Sequence, residues 1–110
     1  MSFEENKVVS ISSSGTWFQK GQAQVDLFRR PSLQRILARL VEVYRHETGK
    51  PVSVHELMES GWPGEIMIRE SGNERVYTAI RTLRRMGLEG ILLTRDGGYM
   101  LNPDLPIKAA

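Results

Sequence analysis

The sequence predicts a small α+β domain in which an antiparallel β-meander and a C-terminal β-hairpin flank three helices. Short β-favouring runs before residue 28 suggest the meander, apolar residues at helical spacing suggest the helices, and Asp96-Gly97 between two β-favouring runs suggests the hairpin. With 110 residues and 40% hydrophobic content, the chain can bury one modest core. The expected organisation is a flexible N-terminus over residues 1–7, a single domain over residues 8–102 and a C-terminal tail over residues 103–110.

Val8 to Ile11, Thr16 to Gln19 and Ala23 to Leu27 favour strands, and turn-prone Ser12 to Gly15 and Lys20-Gly21 separate them. Val9 with Ile11, and Val25 with Leu27, alternate so as to turn one face to a core. Trp17 and Phe18 are adjacent, so only one of them can point inward from a regular strand. The run SISSSG lacks the lysine and spaced glycines of a phosphate loop and reads as a turn.

The first helix follows Pro31. Ser32 can cap it, and Leu33, Ile36, Leu37, Leu40, Val41 and Tyr44 recur as one buried face. Gly49 and Pro51 end it, and Arg29, Arg30 and Arg35 near its start can reach a phosphate. Ser53-Val54-His55-Glu56 is a capping box opening a short second helix that stops at Gly61. The segment Trp62 to Gly72, with Pro63, Gly64 and an apolar trio at Ile66 to Ile68, reads as an ordered loop with Trp62 as a core anchor.

The third helix, about residues 73–87, carries the chemistry. Asn73 can cap it and Gly87 can close it in the left-handed region, with Arg84 and Arg85 favourably placed near its negative end. Val76, Ala79, Ile80, Leu83 and Met86 gather on one side. Thr78, Arg81, Thr82 and Arg85 gather on the other, a stripe of long cations and short hydroxyls with no carboxylate among them. Arginine can fork two hydrogen bonds onto guanine or a phosphate, and threonine can donate to phosphate and touch a thymine methyl. Wet arginine faces are also common on helices that touch no nucleic acid. Glu74, about one turn before Thr78, can orient that hydroxyl or repel a phosphate.

Ile91 to Arg95 and Gly98 to Leu101 form the hairpin arms around Asp96-Gly97, and Arg95 stands beside the tip, where a cation can enter a narrow minor groove. Meander, helix, short helix, loop, arginine-striped helix and hairpin is the order of a winged helix-turn-helix. In this order the chain resembles the OmpR/PhoB-type effector domain of bacterial response regulators, from about the first strand to Leu101. The resemblance rests on Val52-Ser53 with Leu57, on Trp62, on RVYTAIRTLRR and on Gly98-Tyr99. It implies a transcriptional regulator that binds double-stranded DNA. The third helix would lie in the major groove and the wing, residues 91–101, at the minor groove, so that Arg75, Thr78, Arg81, Thr82, Arg85 and Arg95 face DNA. It further implies that the loop, with Trp62, Glu65, Ile66 and Arg69, is a surface for RNA polymerase or another regulator. The family's receiver domain has no room in this chain, so phosphorelay control is not implied. The wing reads TRDGGY, with Asp96 near the presumed groove contact.

The formal charge of +2 is too small for a polycation that condenses on any phosphate, so a nucleic-acid preference must be local. Between Arg75 and Leu88 there are four arginines and no acid. No cysteine is present for a disulfide framework or thiolate metal site, and His46 and His55 lack partners at metal-ligand spacing. No nucleophile is paired with a base and no cofactor loop is found, so no enzyme, metal or cofactor is expected. No apolar run approaches the roughly 20 residues of a membrane span, and MSFEENK lacks a signal peptide's apolar core. The expected location is cytoplasmic. So small a module gains specificity from a second copy on a neighbouring half-site, a homodimer on DNA. The rival reading is a winged-helix interaction module that holds a protein through the same helix or the WPGEIMI loop and binds no DNA.

Overall fold

Alternation along the first strands places Val9, Ile11 and Phe18 inward in β1 (Val9–Ile11) and β2 (Trp17–Lys20), and leaves Trp17 half-exposed. In the computed structural model, which describes residues 8–110, β3 (Ala23–Asp26) completes the antiparallel meander. The expectation for residues 1–7 lies outside the described residues.

Helix α1 (Pro31–His46) buries Leu33, Ile36, Leu37, Leu40 and Val41, the face its periodicity predicted. Its start differs from expectation. Arg30 occupies the cap position without a side-chain hydrogen bond, and Pro31 takes the first turn, where its missing N–H costs nothing. Ser32 is therefore already inside the helix.

A two-residue strand, β4 (Val52–Ser53), leads into α2 (Val54–Gly61). Ser53 Oγ accepts from the Glu56 N–H at 3.1 Å, the expected cap. That is the serine half of the expected capping box; the Glu56 carboxylate, expected to satisfy the Ser53 N–H in return, turns to α1, where its Oε2 accepts from Arg39 Nη2 at 2.9 Å.

Helix α3 spans Arg69–Leu83, so it begins four residues before Asn73, and the loop ends at Ile68 rather than Gly72. Gly72 is buried against Met58 of α2, where a β-carbon would stand 2.1 Å from Met58 Sδ, and a glycine read as a loop residue is a close-contact point between two helices. Arg69, expected in the loop, opens the helix. The chain then widens into a π-type turn over Arg84–Leu88, in which Gly87 adopts φ +141° and closes the helical segment.

The hairpin is β5 (Leu92–Arg95) with β6 (Gly98–Leu101), joined by Asp96 at φ +51° and Gly97 at φ +76°, the two positive values of a tight primed turn. β4 pairs with the other edge of β6, giving a three-stranded sheet ordered β4-β6-β5.

Residues 103–110, expected as an exiting tail with Leu105 and Ile107 tucked against the sheet, do pack those two side chains against the core and go on to form a strand. Tyr44 Oη donates to the Leu105 carbonyl at 2.6 Å and accepts from the Ile107 N–H at 3.2 Å. Ile107–Ala109 forms β7, parallel to β1, so the first sheet is ordered β3-β2-β1-β7. The Tyr44 hydroxyl, with both roles satisfied, joins the burial of Ile107 and the pairing with β1 in docking the segment.

One core joins the layers: Ile11 and Phe18 from the meander, Ile36, Leu37 and Leu40 from α1, Leu57 from α2, Val76, Ile80 and Leu83 from α3, and Leu92 and Leu101 from the hairpin. Three helices between a meander and a hairpin make a winged helix.

Candidate nucleic-acid interface

Val76, Ala79, Ile80 and Leu83 are buried, so α3 is anchored along one side and held in a fixed rotation. That rotation leaves Arg75, Thr78, Arg81 and Arg85 exposed on the other side, with Thr82 half-buried. Thr82 Oγ1 donates to the Thr78 carbonyl at 2.9 Å, which commits its proton to the helix and leaves its lone pairs and methyl for a ligand. Arg81 and Arg85 are one turn apart and both project outward, as does Glu74.

Arg75 is less free than its exposure suggests. Its Nη1 lies 3.1 Å from Glu65 Oε1, and its guanidinium carbon sits 5.7 Å from the centroid of the Trp62 ring. Trp62 is half-buried: one edge meets the core, as expected of an anchor, and the ring carries Arg75 as well.

Two grooves flank α3. One, of about 390 Å³, runs between α3 and the start of α1 and is bordered by Arg30, Trp62, Arg75, Thr78 and Thr82. The other, of about 590 Å³, separates α3 from the hairpin and is bordered by Tyr77, Arg81, Arg84, Arg85 and Tyr99. Each groove also has one carboxylate on its border, Glu74 in the first and Glu89 in the second, against two and three arginines respectively. Arg95 stands exposed at the end of β5, next to the Asp96-Gly97 turn, on an element separate from α3.

Arg84 and Arg85 are neighbours near the negative end of the helix, but only Arg85 falls on the stripe of Thr78, Arg81 and Thr82. The structure separates them. Arg85 points to solvent, whereas Arg84 Nε donates to the Leu92 carbonyl at 2.9 Å and Nη2 donates to Thr94 Oγ1 at 2.9 Å. The guanidinium also lies 5.7 Å from the Tyr99 ring centroid, with Glu89 at 4.0 Å. Burial holds the Tyr99 phenol above its ordinary pKa, assisted by Tyr77 and opposed by Arg84. Helical spacing already sets the two apart, since Arg84 lies four residues after buried Ile80 and Arg85 four after exposed Arg81; the hairpin supplies the partners that Arg84 takes.

Between α2 and α3, Ile66 is fully exposed and Ile68 is 67% exposed, while Met67 is half-buried. Glu65 and Arg69 frame them at the surface. Of the residues expected to form a partner surface, Glu65, Ile66 and Arg69 are thus open, and Trp62 is turned largely to the core and to Arg75.

Among the described residues, no group of three histidine, cysteine or acidic side chains is placed to hold a metal ion. Within the same residues, no helix is long and apolar enough to cross a membrane.

Among solved structures, the chain is similar to the DNA-binding domain of Escherichia coli CadC, with a TM-score of 0.60 and 23% sequence identity. The match covers 91% of this chain and 94% of that one, so the winged-helix fold is shared over nearly the full length. No protein-family model and no curated protein matches the chain.

Proposed function

We propose that this chain is a DNA-binding domain of a transcriptional regulator, of the OmpR/PhoB type, that prefers particular sequences and carries out no catalytic step. The observation that carries the reading is the outward projection of Arg81, Arg85 and Thr78 from a helix whose opposite side is locked into the core. The similar CadC domain is itself DNA-binding by description. In this reading α3 enters the major groove, Arg81 and Arg85 reach guanine edges or phosphates, Thr78 donates to a phosphate, and Thr82, its proton committed to the helix, offers its methyl to a thymine methyl. Arg75 contacts a bounding strand once Glu65 yields it. Arg95 reaches the minor groove from the wing. Phosphate contacts supply affinity and salt dependence, and a few base contacts supply choice. Two copies on neighbouring half-sites extend a single module's small interface. The protein acts in the cytoplasm, where its DNA partner lies.

A second surface accompanies the first. Ile66 and Ile68 expose apolar side chains on the loop before α3, beside the DNA face. This loop, with Trp62, Glu65 and Arg69, is the candidate contact for RNA polymerase or another regulator, and in the alternative reading either it or α3 holds the protein partner of an adaptor that binds no DNA.

The test is an amide-resolved NMR titration with a short duplex. The reading expects shifts concentrated on residues 75–85 and around Arg95. A titration that moves no amide at low salt defeats the DNA reading and leaves the loop surface.

A further inference from the structure

We propose that Arg84 is a positioning residue that locks the wing to α3 and so aims Arg95, and that it is not one of the arginines that touch DNA. The inference rests on the DNA-binding reading for its functional meaning and on three contacts for its geometry. Arg84 is 28% exposed, and its planar fork spans two positions of β5: the Leu92 carbonyl and the Thr94 hydroxyl, each at 2.9 Å. Its guanidinium lies over Tyr99, the β6 residue paired with Thr94. One side chain therefore holds both arms of the hairpin at the rung just before its tip. The next rung is Arg95 with Gly98, followed by the Asp96-Gly97 turn.

Hydrogen bonds within a hairpin fix its register but not its angle to a neighbouring helix. Core burial of Leu92 and Leu101 and the pairing of β6 with β4 hold the base of the hairpin. Arg84 adds a constraint near the tip, because two donors from one rigid plane define a direction as well as a distance. Lysine, with a single charged nitrogen on a flexible stem, keeps the charge and loses the constraint.

The experiment compares the wild type with Arg84→Ala, Arg84→Lys, Arg95→Ala and the Arg84→Ala/Arg95→Ala pair. Two readouts are used: affinity for one duplex across a salt series, and amide hydrogen exchange over residues 92–101 of the free proteins. Positioning predicts that each Arg84 change weakens binding on the order of tenfold, the size of one charge-assisted hydrogen bond between the wing and DNA. Lysine does not rescue, the pair binds no worse than Arg95→Ala, and the salt slope falls by about one phosphate interaction in every variant. Hairpin amides exchange faster in both Arg84 variants. Rescue by lysine, or additive effects with a slope reduced by about two phosphate interactions, places Arg84 on the phosphate backbone and overturns the proposal. If the wild type binds no duplex, the DNA reading fails separately, and hydrogen exchange decides the clamp: unchanged hairpin protection in Arg84→Lys overturns it, and reduced protection upholds it.

Discussion

Gly98 passes so close to Val52 that a β-carbon on it would stand 2.3 Å from the Val52 carbonyl oxygen and 3.0 Å from the carbonyl carbon. The approach lies where β4 pairs with β6, with Ser53 opposite Gly98. A backbone oxygen cannot rotate away as a side chain can, so any larger residue must push the two strands apart. Gly98→Ala is expected to lower stability by about 2 kcal/mol or more, read by thermal or denaturant unfolding. Gly97→Ala, which meets open space but requires φ +76°, should cost only about 1 kcal/mol. Equal destabilisation would contradict the assignment of close approach to Gly98 alone.

Ser53 holds the start of α2 through a single acceptor, its Oγ, at 3.1 Å from the Glu56 N–H. Ser53→Ala should cost about 1 kcal/mol, and Ser53→Asp should retain most of the stability because its carboxylate also accepts at a helix N-terminus. Denaturant midpoints of the three proteins check this, and a destabilised aspartate variant would contradict it.

If Arg75 contacts DNA as proposed, Glu65 competes with DNA for it. The pair is half-exposed on both sides, so its own contribution to stability is below about 1 kcal/mol. Glu65→Gln is therefore expected to leave the unfolding midpoint nearly unchanged while raising affinity for random duplex a few-fold and steepening its salt dependence. Unchanged affinity would mean that Arg75 lies outside the interface.

Tyr99 makes alkaline stability a test of the groove between α3 and the wing. Burial holds its phenol above the ordinary value of 10.0, so the folded chain binds this proton more tightly than the unfolded chain does. Its contribution is fully present below about pH 10 and is lost as pH rises through the raised folded value. Tyr99→Phe should remove this component of the alkaline fall in melting temperature. Superimposable pH profiles for the two proteins would show that the groove does not shield the phenol.

The elements most legible in the sequence are those with many residues voting alike. The six apolar positions of α1 at i, i+3 and i+4 spacing override its unremarkable cap, and Asp96-Gly97 specifies the hairpin because few residues tolerate two successive positive φ values. What stays hidden depends on a distant partner. The close contact of Gly72 depends on Met58, the strand at Ile107–Ala109 depends on β1, and the hydrogen bonds of Arg84 depend on Leu92 and Thr94. β4 is two residues long and carries no periodicity to read. On the candidate face, the outward set Arg75, Thr78, Arg81 and Arg85 follows from helical geometry alone, but the pairing of Arg75 with Glu65 and Trp62 does not.

The measurement closest to the central claim is the binding of wild type and the Arg81→Ala/Arg85→Ala double variant to a labelled duplex, followed by anisotropy across a salt series. Both arginines are exposed and leave the core untouched, so the variant should fold with a wild-type melting temperature. The account predicts that wild-type affinity falls steeply with salt, linear on logarithmic axes, and that the variant binds about a hundredfold more weakly, with a slope reduced by up to two phosphate interactions. Equal binding by the two proteins, or no binding by the wild type at low salt, would contradict it.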